Sequence, residues 1–207
     1  STRTVHHCKA GNRRAGLKDR VFYAASVHDE AEIQAVVEVL RSGAAGLWPG
    51  RRGNAMEREV ATLFGKQRGL MCNSGSSALY LAVELLDLKP GDEVITSPVT
   101  FSTDLAPLVR GGLVPVFVDV EPDTYQIDVE RIEQAISERT KAILAPNLIG
   151  NTPDWDGIRE IADRHGLAVV EDSCDALGPM LRGTPTGTRS DISVTSFASS
   201  HIITCAG

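Results

Sequence analysis

Cysteine is sparse in this chain of 207 residues, and the four that occur are scattered, at Cys8, Cys72, Cys174 and Cys205. No CxxC pair is present, so no self-contained zinc site is indicated. Nor do four such cysteines make a disulfide scaffold at this size. No apolar run approaches the roughly 20 residues that a membrane span needs. The opening segment, Ser1 to His7, lacks the apolar core of a signal peptide, so the expected location is the cytoplasm. Positive charge is in deficit: 21 Lys and Arg against 27 Asp and Glu leave a net charge of −6. That argues against nucleic acid or an anionic membrane as the main partner. Neither a Walker motif nor a GxGxxG occurs, which removes the common nucleotide loops. Lysine does not occur after Lys141.

What is present is an ordinary globular composition, 42% hydrophobic and 23% charged, enough for a sizeable core. Residues 1–25 read as an irregular arm. Its first 20 residues carry Arg3, Lys9, Arg13, Arg14, Lys18 and Arg20 against Asp19 alone. Such an arm is either solvated or packed on a partner subunit. Residues 26–207 read as one regular unit. Ile33, Val36, Val37 and Leu40 share one face of a helix that Ser42-Gly43 ends. Leu47 to Gly53 reads as a loop, and Asn54 as the cap of a helix to Phe64.

Beyond Gly65 strands and helices alternate. Short strands are expected at Leu70–Cys72, Glu93–Thr96, Val114–Val118, Ala142–Ala145, Leu167–Val170 and Ile192–Ser196. Helices are expected over Ser76–Leu86, with Leu79, Leu81, Ala82 and Leu85 inward, and over Thr103–Val109. Two more follow caps at Asp128 and at Asp154 or Asp156. Strands of four to six apolar residues joined by helices imply crossover connections. The fold class is therefore α/β, with a mainly parallel sheet flanked by helices. Ligands of such sheets bind outside the carboxyl ends of the strands.

Four segments fall at those ends. Asn73-Ser74-Gly75-Ser76-Ser77 opens a helix, with free N–H groups and hydroxyls that suit a phosphate, or simply caps it. Phe101 is either an aromatic for a planar cofactor or a core residue. Glu171 and Asp172 follow an apolar strand, where acids are costly to bury unless paired. One of them could hold a protonated ring nitrogen, or Asp172 or Ser173 could cap a helix. Ser196-Phe197-Ala198-Ser199-Ser200-His201 adds hydroxyls and an imidazole able to act as acid or base.

In order, these segments resemble the DegT/DnrJ/StrS family of pyridoxal-phosphate enzymes acting on nucleotide-linked keto sugars. The likeness runs from about Val27 to the end. Its most specific parts are Asn73 to Leu79, Gly91-Asp92-Glu93-Val94-Ile95, Thr100-Phe101, Pro115 to Asp119, Glu171-Asp172 and Ser196-Phe197. The resemblance implies the aspartate-aminotransferase fold (fold type I). The chain would hold most of its cofactor-binding large domain, without the C-terminal small domain. It also implies a homodimer. Gly75, Ser76 and Ser196 would hold the cofactor phosphate, Phe101 would stack on the pyridine ring, and Asp172 would pair with the ring nitrogen. Asp175 stands where the aminotransferases often have Gln, beside the ring hydroxyl, and Asn147 stands where they have His.

The aminotransferases of the family carry the Schiff-base Lys five residues after the Ser of Ser-Phe. Here that position is His201, and imidazole cannot make that link. Histidine at this place resembles the 3-dehydratases of nucleotide-diphospho-4-keto-6-deoxyhexoses, which use pyridoxamine phosphate without a covalent bond. His201 would then be the acid/base in a C3 deoxygenation of deoxysugar biosynthesis. One branch carries a Cys in a Glu-Asp-Ser-Cys-Asp context as a ligand of a [2Fe–2S] cluster served by a flavin or iron–sulfur reductase. Cys174 stands in that context, and is otherwise a small buried residue. Two other readings remain: an aminotransferase whose Lys has been changed to His, and a non-catalytic relative that binds cofactor or sugar.

Overall fold

The computed structural model describes residue 24, residues 27–47 and residues 50–203. The rest of the expected arm, Trp48, Pro49 and Cys205 lie outside the described residues. Helix α1 (Glu30–Arg41) starts at a capping box, in which Asp29 accepts from the N–H of Ala31 and Glu32 reaches back to Asp29. It stops at Ser42 and Gly43, as its sequence predicts. A single turn, α2 (Ala44–Leu47), follows. Helix α3 (Arg51–Leu63) then starts four residues earlier than expected, with Gly50 as N-cap and no side-chain cap bond. Asn54 is therefore inside the helix, and the expected loop to Gly53 is cut short.

Leu70–Cys72 is not a strand. Leu70 is 75% exposed, and an isolated apolar triplet with no ladder partner has nothing to hold it extended. Next come α4 (Gly75–Leu85), β1 (Glu93–Thr96), α5 (Ser102–Arg110), β2 (Val114–Phe117), α6 (Val129–Ile132) and β3 (Thr140–Pro146). The chain continues through α7 (Trp155–His165), β4 (Ala168–Ser173), a small antiparallel pair β5 (Met180–Leu181) and β6 (Thr184–Pro185), and β7 (Ile192–Thr195). Asp128 caps α6, accepting from Glu130 N–H, whereas Asp154 makes no side-chain cap bond at α7. No helix begins at Asp172 or Ser173; both lie in β4.

Five strands form one sheet in the order β2-β1-β3-β4-β7, every pair parallel. Helices cover both faces. On one, Trp155, Ile158 and Ala162 of α7 pack on Ile95, Ile143 and Val169. On the other, Leu79, Ala82 and Val83 of α4 and Leu108 of α5 pack on Val94, Leu144 and Val170. Each fully buried aliphatic side chain contributes about 1.5–3 kcal/mol. The inward face of α4 differs from expectation: Val83 is buried, whereas Leu81 and Leu85 point outward, Leu85 at 73% exposure. The chain leaves β1 toward β2, then crosses back over β1 to β3. That reversal places a ligand crevice at the carboxyl ends of β1 and β3, beside those of β4 and β7. Among the described residues no helix is long and apolar enough to cross a membrane.

Candidate functional site

A cavity of about 1120 Å³ opens at this edge of the sheet. Gly75, Ser76, Phe101, Asp172, Cys174, Asp175, Ser196 and His201 all line it. Eight residues from four separate segments thus meet at one place.

The start of α4 forms one wall. Ser74 caps the helix, its Oγ accepting from Ser77 N–H at 3.1 Å. The N–H groups of Gly75 and Ser76 precede the helical ladder and are free for a ligand. Ser74, not Ser76, is the cap, which leaves the Ser76 side chain available. Gly75 is required by close approach. A Cβ there would lie 2.9 Å from Ser196 Cβ and 3.0 Å from Cys174 Sγ. The same contact brings Ser196, at the end of β7, against the α4 N-terminus. Free N–H groups, a positive helix end and two hydroxyls suit a phosphate dianion.

Phe101 precedes α5 and is 70% exposed, so it is not a core residue. Its ring is available as a stacking face. Asp172 lies at the end of β4, nearly buried, its Oδ1 accepting from Cys174 N–H at 2.9 Å. Burial pushes its carboxyl up, and hydrogen bonds from Cys174 oppose that.

The adjacent acid does something else. Alternation along β4 sends Glu171 to the opposite face of the sheet. There it is fully buried and accepts from Asn147 Nδ2 and Ser173 Oγ, both at 2.8 Å, from Ser193 Oγ at 2.8 Å and Ser190 Oγ at 3.2 Å, and from Thr186 Oγ1. Asn147 also accepts from Trp155 Nε1 at 2.8 Å. Its side chain is spent on structure. Lys66, the one lysine among the lining residues, donates to Ser190 O and Oγ.

His201 sits in the turn after β7, its side chain 21% exposed. Nδ1 is buried with no partner, and Nε2 lies 4.0 Å from Asp175 Oδ1. Asp175 Oδ2 in turn accepts from Ile149 N–H at 3.2 Å.

Asp104 was not legible as a site residue. An acid in the first turn of a helix reads as a partner of the helix dipole. The structure turns it inward, where it is fully buried, accepts from Thr100 Oγ1 and lies within hydrogen-bond reach of Asp172. Burial, then the Asp172 charge, push its carboxyl up to about 8.

The model for the DegT/DnrJ/EryC1/StrS aminotransferase family matches residues 26–207. The chain belongs to that family. It is 44% identical over 190 residues to a dTDP-4-dehydro-2,6-dideoxy-D-glucose 3-dehydratase of Saccharopolyspora spinosa, across 86% of this chain and 40% of that protein. It is 37% identical over 191 residues to a GDP-4-keto-6-deoxy-D-mannose 3-dehydratase of Yersinia pseudotuberculosis, across 89% and 48%. A Streptococcus pneumoniae protein assigned as a sugar aminotransferase, solved in a PMP form, superposes with a TM-score of 0.83 at 30% identity, across 89% of this chain and 50% of that one. The chain thus has the large-domain architecture of fold type I and spans half or less of these relatives' lengths. The DegT/DnrJ/EryC1/StrS family contains both 3-dehydratases and sugar aminotransferases.

The site residues fit a pyridoxal-type cofactor: a phosphate cradle at α4, an open aromatic face, and a buried carboxylate at the cavity floor. For a [2Fe–2S] cluster the described residues would supply Cys174 as one ligand. Cluster binding needs several thiolates. Burial, then the charge of Asp172, pushes the Cys174 thiol up. Among the described residues no group of three metal-ligating side chains surrounds it.

Proposed function

We propose that this chain carries the cofactor site and the acid–base residue of a 3-dehydratase. The cofactor is pyridoxamine or pyridoxal phosphate, and the substrate a nucleotide-diphospho-4-keto-6-deoxyhexose. The observation that carries the reading is His201 on the cavity wall where a transaminating member needs a lysine. Lys66 is committed to Ser190.

The backbone N–H groups of Gly75 and Ser76, with the hydroxyls of Ser76 and Ser196, would bind the phosphate. Phe101 would cover the ring, and Asp172 would hold the ring nitrogen protonated. When bound, the cofactor supplies an electron sink. His201 would take up a proton and return one to the departing 3-hydroxyl, a task an imidazole can perform as base and then as acid. Asp175, which lines the cavity and lies 4.0 Å from His201 Nε2, would stand between the imidazole and the ring hydroxyl of the cofactor. The 3-dehydratases among the relatives support the reaction class.

A homodimer is part of this reading. Phe101, Leu81 and Leu85 are exposed on residues lining the cavity, where a second subunit would complete its wall. The test is to load the full-length protein with pyridoxamine phosphate, add a CDP- or TDP-4-keto-6-deoxyhexose, and weigh the product. Loss of the 3-oxygen is expected. An amino sugar would mean transamination. An unchanged sugar with a bound cofactor would mean a non-catalytic relative.

A further inference from the structure

Asp104 presents a charge problem that the proposed function leaves unsolved. It lies in the first turn of α5, fully buried. Thr100 Oγ1 donates to Oδ2, and among the described residues Oδ1 receives no donor. A carboxylate buried with a single donor is costly. Its neighbour within hydrogen-bond reach is another carboxyl group, that of Asp172. Around the pair stand the Cys174 thiol and Asp175, and among the described residues neither carboxyl forms an ion pair. Two buried carboxylates in contact cannot both be charged. One proton resolves the arrangement, because a carboxylic acid is a donor as well as an acceptor.

We propose that Asp104 is a positioning residue of the cofactor site: a neutral acid that donates a hydrogen bond to Asp172 and holds that carboxylate ionised and aimed at the ring nitrogen. This rests on the reading of Asp172 as the ring partner. The division of roles follows from the surroundings. Asp172 has the Cys174 N–H to support its charge, at 2.9 Å, and lines the cavity. Asp104 has Thr100 only and does not line it. Burial and the Asp172 charge keep Asp104 protonated up to about pH 8, so the donor is in place at neutral pH. The effect of Asp104 reaches the cofactor only through Asp172.

The linkage has a definite sign. A carboxyl whose folded value lies above its unfolded one binds a proton in the native state that the unfolded chain has released. Stability therefore falls as pH rises between the two values, here from about 4 to about 8.

The test uses the full-length enzyme, with Asp104→Asn and Asp104→Ala. Affinity for pyridoxamine phosphate and the absorption band of the bound cofactor are followed from pH 6 to pH 9.5. Unfolding of the cofactor-free protein by urea is followed from pH 4 to pH 9. The native enzyme is expected to hold its affinity up to about pH 8 and lose it above. Asp104→Asn, whose amide donates at every pH, should match it within about twofold at pH 7 and abolish the loss. Asp104→Ala, with no donor, should bind about ten- to hundredfold more weakly at pH 7. The urea profile should decline with pH in the native protein and flatten in Asp104→Asn.

An Asn variant that weakens binding as much as the Ala variant overturns the proposal. So does an Ala variant that binds as the native enzyme does, or a urea profile that keeps its slope in Asp104→Asn. A urea profile that behaves as expected beside an affinity indifferent to both substitutions and to Asp172→Asn removes Asp172 as the ring partner, and this proposal with it. Neither readout depends on which sugar reaction the enzyme runs, so failure of the dehydratase reading is seen separately.

Discussion

His201 Nε2 faces Asp175 Oδ1 across 4.0 Å, and the other oxygen of that carboxylate is held by the backbone N–H of Ile149 at 3.2 Å. The turn after β4, the loop after β3 and the segment after β7 therefore meet at one carboxylate. At 4.0 Å the carboxylate and the imidazole interact through charge rather than a hydrogen bond. Replacing His201 with Asn keeps size and polarity and removes the proton-accepting imidazole. We expect kcat to fall by about 10²–10⁴-fold, with pyridoxamine phosphate affinity changed by less than about threefold. Equilibrium titration beside steady-state kinetics checks this split.

Ile149 reaches its position at a cost. It is β-branched, with φ at 57°, a left-handed conformation that such residues rarely adopt. The side chain is exposed, so little packing offsets the strain. Ile149→Gly is expected to raise stability by about 1 kcal/mol, measured by urea unfolding.

Gly75 is tied to the phosphate cradle by space rather than by φ. A methyl group there would press on Ser196 Cβ and Cys174 Sγ at 2.9 and 3.0 Å. Gly75→Ala should cost about 1–3 kcal/mol of stability through overpacking. It should also displace Ser196 from the α4 N-terminus and weaken cofactor binding at least tenfold, about 1.4 kcal/mol. Free inorganic phosphate, as a competitor, should lose affinity in parallel.

Glu171 tests the division between site and scaffold. Five side chains donate to its carboxylate on the face opposite Asp172. Glu171→Gln replaces an acceptor with a donor among donors, and should lower stability by about 3 kcal/mol. Residual folded enzyme should keep its cofactor absorption band, because Glu171 does not line the cavity.

The sheet was legible where apolar runs are short and bounded by turn residues. Pro90-Gly91-Asp92 before β1 and the left-handed Gly166 before β4 are examples. It was illegible where a run is apolar but has no ladder partner, as at Leu70–Cys72. In α4, Ala78, Leu79, Leu81, Ala82, Val83 and Leu85 are all apolar, and periodicity within so uniform a helix cannot choose the inward face. At α3, backbone geometry at Gly50 set the start where a side-chain cap was expected at Asn54. The meeting of Gly75, Phe101, Asp172, Ser196 and His201 followed from a resemblance. Their contacts did not, because strand order and side-chain direction decide them. Asp104 shows this best: only the inward turn of α5 against β4 makes it part of the site.

The central claim is that the cavity removes the 3-oxygen of a nucleotide-linked keto sugar, with His201 moving the proton. The most direct measurement uses a 4-keto-6-deoxyhexose nucleotide labelled with ¹⁸O at C3, incubated with the full-length, pyridoxamine-phosphate-loaded protein with and without an electron donor. With the native protein ¹⁸O is expected to leave the sugar and appear in water, and with His201→Asn to stay in the sugar. Retention of the label by a folded, cofactor-loaded native protein under both conditions would contradict it.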